Sequence, residues 1–137
     1  MRVRPNSALA ISCLGLAIFA AVGGAYAQQS PRRIALKSGE STVLRDYFYI
    51  QSCQSVLIGT PVLDVLESPE ELTVTIKAST ILPRAQNCAK QVPGGTVVAT
   101  AKEIKERTEA KLTIRLKYKT KMGERQSSDT YLVSLFP

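Results

Sequence analysis

"KLTIRLKYKTK", Lys111–Lys121, alternates almost without a break between apolar and cationic residues. Successive side chains of a β-strand point to opposite faces, so this spacing predicts a strand with Leu112, Ile114, Leu116 and Tyr118 facing a core. Thr113, Arg115, Lys117, Lys119 and Lys121 then face outward. A helix would need apolar positions three and four apart, and the stretch does not supply them. The same period of two recurs at Leu72–Ala78, with Leu72, Val74, Ile76 and Ala78 on one side and Thr73, Thr75 and Lys77 on the other.

Outward from these two segments the pattern continues. Ile34 and Leu36 alternate and stop at Ser38-Gly39-Glu40, a turn signal. Residues 41–53, "STVLRDYFYIQSC", are β-branched and aromatic, as strands prefer. A further strand begins at Val62 after the Gly59-Thr60-Pro61 break, and "SPEE" at 68–71 turns the chain again. Residues 83–95, "PRAQNCAKQVPGG", lack periodicity and are expected as a long loop. Beyond it, Thr96–Ile104 reads as a strand, followed by a turn near 106–109. Glu103 and Arg107 stand at helical spacing, so a short helix over 101–110 is the competing expectation. Met122-Gly123-Glu124 opens the last turn, and Tyr131, Val133 and Leu135 mark the last strand. About seven short strands separated by turns predict an all-β antiparallel sandwich. Tryptophan is absent, unlike antibody-type domains.

The first 27 residues read differently. Arg2 and Arg4 precede an apolar run from Ala8 to Val22, and Ala25-Tyr26-Ala27 forms a small-residue cleavage pattern. This is the layout of a secretory signal peptide. An uncleaved anchor would need about 20 strongly apolar residues, and a lipoprotein cleavage at Cys13 would leave only a few apolar residues before it. The expected organisation is a signal peptide over 1–27, a flexible lead over 28–33 and one sandwich domain over 34–137, placed in the periplasm or secreted. No membrane-spanning segment is expected in the mature chain. Without Arg2 and Arg4, 16 basic residues face 11 acidic ones, about +5, a balance too mild for a dedicated nucleic-acid binder.

Export also makes sense of the cysteines. Cys53 and Cys88 remain after cleavage, and two cysteines in a small exported domain predict a disulfide. The alternative, a redox-active pair, ordinarily uses CxxC spacing. In the chain-entropy account the closed loop stabilises the fold by about 4 kcal/mol. The short spacing suits a tie between a strand end and the long loop better than a bridge between sheets.

The sequence holds no histidine, which excludes serine-histidine and cysteine-histidine nucleophiles and ordinary zinc sites. Glu70 and Glu71 sit in a turn beside Asp64 and Glu67, where solvated charge is the simpler reading than a catalytic carboxylate pair. No Asp-rich calcium loop is present, and Gly94-Gly95 lacks the lysine of a phosphate loop. The expectation is a non-enzymatic protein without a cofactor.

"GERQSSDTYLVSL", Gly123–Leu135, resembles the closing turn and strand of short secreted bacterial immunoglobulin-like proteins, with Asp129, Tyr131 and Val133 in the places of the aspartate, aromatic and apolar residues. The glycine-to-aspartate turn is longer here. The resemblance implies an immunoglobulin-like sandwich and no particular activity.

Two surfaces stand out as candidates. Arg115, Lys117, Lys119 and Lys121 could form a basic face for phosphate or carboxylate groups of the envelope; the alternative is that the lysines solubilise an edge strand. Arg84, Gln86, Asn87 and Lys90, in the loop pinned by Cys88, could recognise a protein, as would suit a periplasmic inhibitor or accessory factor, or the loop is an ordinary connection. The expected roles are therefore protein interaction, binding of an anionic envelope component, or action on an enzyme. Nucleic acid is not expected, since no aromatic residues interleave with the outward charges.

Overall fold

A computed structural model describes residues 30–137; the signal-peptide expectation and residues 28–29 lie outside the described residues. The described residues form nine strands and one 3₁₀ turn: β1 Arg32–Lys37, β2 Ser41–Tyr47, β3 Ile50–Gln51, β4 Gln54–Ser55, β5 Val62–Glu67, β6 Leu72–Ile81, the turn Arg84–Gln86, β7 Val92–Ala101, β8 Thr108–Thr120 and β9 Gly123–Phe136. Seven of them build two sheets, ordered β1-β9-β8-β5 and β2-β7-β6, and β3 pairs β4 in a small hairpin. Every ladder is antiparallel except β1 with β9, where Arg32 lies opposite Tyr131 and Lys37 opposite Phe136.

The expected alternation along β8 holds. Leu112, Ile114 and Leu116 are fully buried, and Tyr118 nearly so. They meet Tyr131, Val133 and Leu135 of β9, Val97, Ala99 and Ala101 of β7, Leu44 and Tyr47 of β2, and Leu72 of β6 in one core between the sheets. Burying each of these large apolar side chains contributes about 1.5–3 kcal/mol.

Several expected boundaries shift. β1 begins at Arg32, inside the segment read as a lead, because the parallel ladder to β9 orders it. The long loop is shorter than 83–95: β7 begins at Val92 and takes in Pro93, Gly94 and Gly95. Pro93 is tolerated in this central strand because the β2 ladder ends at Tyr47 opposite Gly95, so only β6 flanks the proline and its missing N–H faces no partner strand. The glycines are required by close packing. A Cβ on Gly94 would strike the Tyr47 carbonyl and Ile81, and one on Gly95 would strike Ile76. No helix forms over 101–110; β7 ends at Ala101 and β8 starts at Thr108. The longer β8 replaces the expected 106–109 turn because Thr108, Glu109 and Ala110 pair with Leu135, Ser134 and Val133.

Cys53 and Cys88 form the expected disulfide, with Cα atoms 5.4 Å apart. It ties the β3–β4 turn to the β6–β7 connection, consistent with the role expected from their spacing.

One irregularity decides where the polar residues of β2 go. The ladder to β7 slips between Val43 and Arg45, so Leu44 is an extra residue in a β-bulge. Leu44 is buried at 7% while Val43 is 58% exposed. Past the bulge the strand phase inverts: Arg45 stands opposite Val97 and Tyr47 opposite Gly95, both on the face of β7 that lines the core. Simple alternation from Thr42 would have turned these two side chains to solvent.

Candidate functional site

The basic strand was expected at a sheet edge, but β8 lies inside its sheet, between β9 and β5. Its cations are therefore not guarding an exposed edge. The antiparallel register sets Asp64 of β5 opposite Arg115 and diagonal to Lys117, which itself stands opposite Val62. Asp64 Oδ2 accepts from Arg115 Nη2 at 3.2 Å and pairs with Lys117 Nζ at 3.0 Å. Glu67 lies 3.8 Å from Lys111. The hydrogen bonds from Lys117 and Arg115 hold the Asp64 carboxyl below its ordinary pKa. Lys119 stands opposite Glu124 in the β8–β9 ladder, and Lys121 occupies the hairpin beyond it. Repulsion among the outward cations of β8 is thus relieved in part by carboxylates on its neighbours. Among the described residues Lys119 and Lys121 make no ion pair, and a smaller cleft of about 310 Å³ lies beside Lys117 and Lys119.

The loop candidates separate as well. Arg84 and Gln86 lie in the 3₁₀ turn, which Asn87 closes in the left-handed conformation, φ 56°, with its N–H donating to the Arg84 carbonyl at 3.0 Å. Cys88 is buried, while Arg84, Gln86, Asn87 and Lys90 are exposed. Their positions are held by the disulfide and the turn.

Convergence occurs elsewhere, at the step where β1 begins beside β9. A cleft of about 670 Å³ opens there, lined by Arg32 of β1, Arg45 of β2, Lys111 of β8, and Asp129 and Tyr131 of β9. Its size falls in the usual range for ligand sites. Arg45 Nη1 donates to Asp129 Oδ1 at 3.3 Å and Oδ2 at 3.4 Å, across the two sheets. The Tyr47 hydroxyl also donates to Asp129 Oδ2, and the Arg45 guanidinium lies 5.2 Å from the centre of the Tyr47 ring. Tyr47 and Tyr118 pack with ring centres 6.1 Å apart, and the Tyr118 hydroxyl is 3.0 Å from Ser127 Oγ.

Charge and burial make this cluster unlike the rest of the surface. Burial, then the hydrogen bond to Asp129 and its charge, push the Tyr47 phenol far above its ordinary pKa. Burial raises Tyr131 too, helped by Asp129 and opposed by Arg32, Arg45 and the Tyr47 hydroxyl beside it. By geometry the buried Tyr131 hydroxyl lacks a hydrogen-bond partner among the described residues. Arg32, Arg45 and Lys111 thus line one cleft with a single carboxylate, Asp129, which already serves Arg45 and Tyr47. Arg32 makes no ion pair among the described residues, and Lys111 reaches only the exposed Glu67.

This assembly was not legible as a site in the sequence. Arg32 reads as part of a lead, Arg45 as one more strand residue, and Lys111 as the start of the basic row. The available signal was Asp129, a lone carboxylate beside the aromatic Tyr131 in the closing strand. Among the described residues no group of three or more histidine, cysteine or carboxylate side chains is placed to hold a metal ion, and no helix is long and apolar enough to cross a membrane. No known family model, curated protein or solved structure matches this chain.

Proposed function

We propose that this protein is an exported, non-enzymatic binding module of the cell envelope with an immunoglobulin-like sandwich, and that it holds an anionic group of its partner in the cleft between Arg32, Arg45 and Lys111. The strand order supports the fold reading. Lettered in chain order with β1 as the first strand, β2-β7-β6 corresponds to B-E-D and β9-β8-β5 to G-F-C of immunoglobulin-type domains. Export rests on the layout of residues 1–27 and agrees with the disulfide. The non-enzymatic reading rests on the lack of histidine and of a free thiol in the mature chain.

One observation carries the binding reading: cations from three strands in two sheets meet around a single cleft whose one carboxylate is already engaged. A solubilising charge pattern would spread such residues apart. Binding at a concave cationic site should be steep in salt, because exposed charges are screened over about 10 Å at 0.1 M. The test is binding of the mature, oxidised protein to immobilised envelope extract at low and moderate salt, alongside the variant Arg32→Glu/Lys111→Glu. Wild type should retain a salt-sensitive partner that the variant loses. Equal retention of both proteins, or none by either, overturns the proposal.

A further inference from the structure

β9 is 14 residues long, but β1 covers only its second half. The parallel ladder runs from Arg32 opposite Tyr131 to Lys37 opposite Phe136, while β8 borders β9 on the other side from Gly123 to Leu135. Along 124–130 the outer edge of β9 therefore has no strand beside it among the described residues. Ser30 and Pro31, just before β1, form part of the cleft wall and are not paired with β9. The open length is about 23 Å at the rise of a strand. Natural sheets blunt such edges with charged residues or proline; along 124–130 the charges are Glu124, Arg125 and Asp129, and neither lysine nor proline is present.

The open edge and the cationic cleft are one continuous feature. Ser128, Asp129 and Thr130, the last uncovered residues of β9, line the cleft together with Arg32, Arg45 and Lys111. The buried, unpartnered Tyr131 hydroxyl stands at the same point. We infer that the partner is an extended polypeptide segment that adds a strand to β9 along 124–130, in the row that β1 occupies further on, and places a carboxylate in the cleft. The backbone edge supplies affinity by main-chain hydrogen bonding, as in other strand-addition complexes. The cations supply selectivity for an acidic residue at the end of that strand, by charge-assisted hydrogen bonds. This inference rests on the binding role proposed for the cleft and specifies what carries the anion.

The experiment uses the mature, oxidised protein and five probes: a blocked hexapeptide of alternating threonine and valine ending in glutamate, its glutamine counterpart, the glutamate peptide with N-methylated backbone amides, glutarate, and phosphatidylglycerol vesicles. Backbone amide shifts and hydrogen exchange are followed by NMR. The glutamate peptide should shift Arg32 and Arg45 and slow exchange along 124–130. The glutamine peptide should bind roughly ten-fold more weakly, and the N-methylated peptide should leave exchange along 124–130 unchanged. If glutarate fills the cleft while no peptide protects the edge, strand addition is wrong and the anion-binding cleft stands. If neither glutarate nor any peptide shifts Arg32 or Arg45, both readings fall. Binding to phosphatidylglycerol vesicles with no response to any peptide overturns the inference in favour of a lipid headgroup.

Discussion

The hydrogen bond from Tyr47 to Asp129 crosses the core from one sheet to the other, so Tyr47→Phe should cost more than an exposed substitution. A hydrogen bond to a charged group contributes about 1.5–3 kcal/mol. The lower end applies here, because the Asp129 side chain is 22% exposed and keeps Arg45 as a partner, and phenylalanine fills the same space. A loss of about 1.5 kcal/mol corresponds to a fall in Tm of roughly 6–9 °C for a domain of this size. Asp129→Ala should cost about 2 kcal/mol, because it leaves the buried Tyr47 hydroxyl unpaired and frees an Arg45 that is 46% exposed and loses little. The double variant should recover about 1–2 kcal/mol relative to the sum of the singles, the usual range for residues in direct contact. Urea unfolding of the four proteins measures this, with the midpoint moving and the m-value constant. Strictly additive single and double variants would refute a bridge between the sheets at this point.

Three other outcomes can be checked with the same unfolding assay. Gly94→Ala should destabilise by about 1–3 kcal/mol through overpacking, since the added methyl would meet the Tyr47 carbonyl and Ile81; an unchanged midpoint would show that β2 and β6 do not close over β7 there. Replacing Cys53 and Cys88 by alanine should cost about 4 kcal/mol in the chain-entropy account, and a loss below about 1 kcal/mol would mean the tie constrains little in the unfolded chain. Tyr47, Tyr118 and Tyr131 all have phenols raised above the ordinary value of 10.0, chiefly by burial. The stability they contribute is complete below pH 10 and is lost above it, because the unfolded chain ionises first. The fall should approach about 1.4 kcal/mol per pH unit for each phenol, so a flat profile through pH 10 would contradict their burial.

Much of the architecture was readable along the chain because the relevant signal is local. Period-two alternation at Leu72–Ala78 and Lys111–Lys121 is a property of neighbouring residues, and it placed the core-facing side chains of β8 and Leu72, Val74 and Ile76 of β6 correctly, while Ala78, toward the end of β6, is exposed. The turn at Ser38-Gly39 and the pairing of Cys53 with Cys88 were equally accessible, the first through glycine's tolerance of φ +77° and the second because only two of the three cysteines follow the expected signal peptide. The site was not accessible in that way. Its parts come from positions 32, 45, 111, 129 and 131, and no periodicity links them.

By itself, then, the sequence determined the all-β class, the inward and outward faces of the strands and the disulfide, since alternation and cysteine count act within a strand or a single pair. Only the tertiary structure decided that β8 is an interior strand with Asp64 and Glu67 beside its cations, that a bulge at Leu44 turns Arg45 and Tyr47 toward Asp129, and that β1 pairs with only the second half of β9. Each depends on which strand lies next to which and in what register, and that is settled by packing the two sheets together over a shared core.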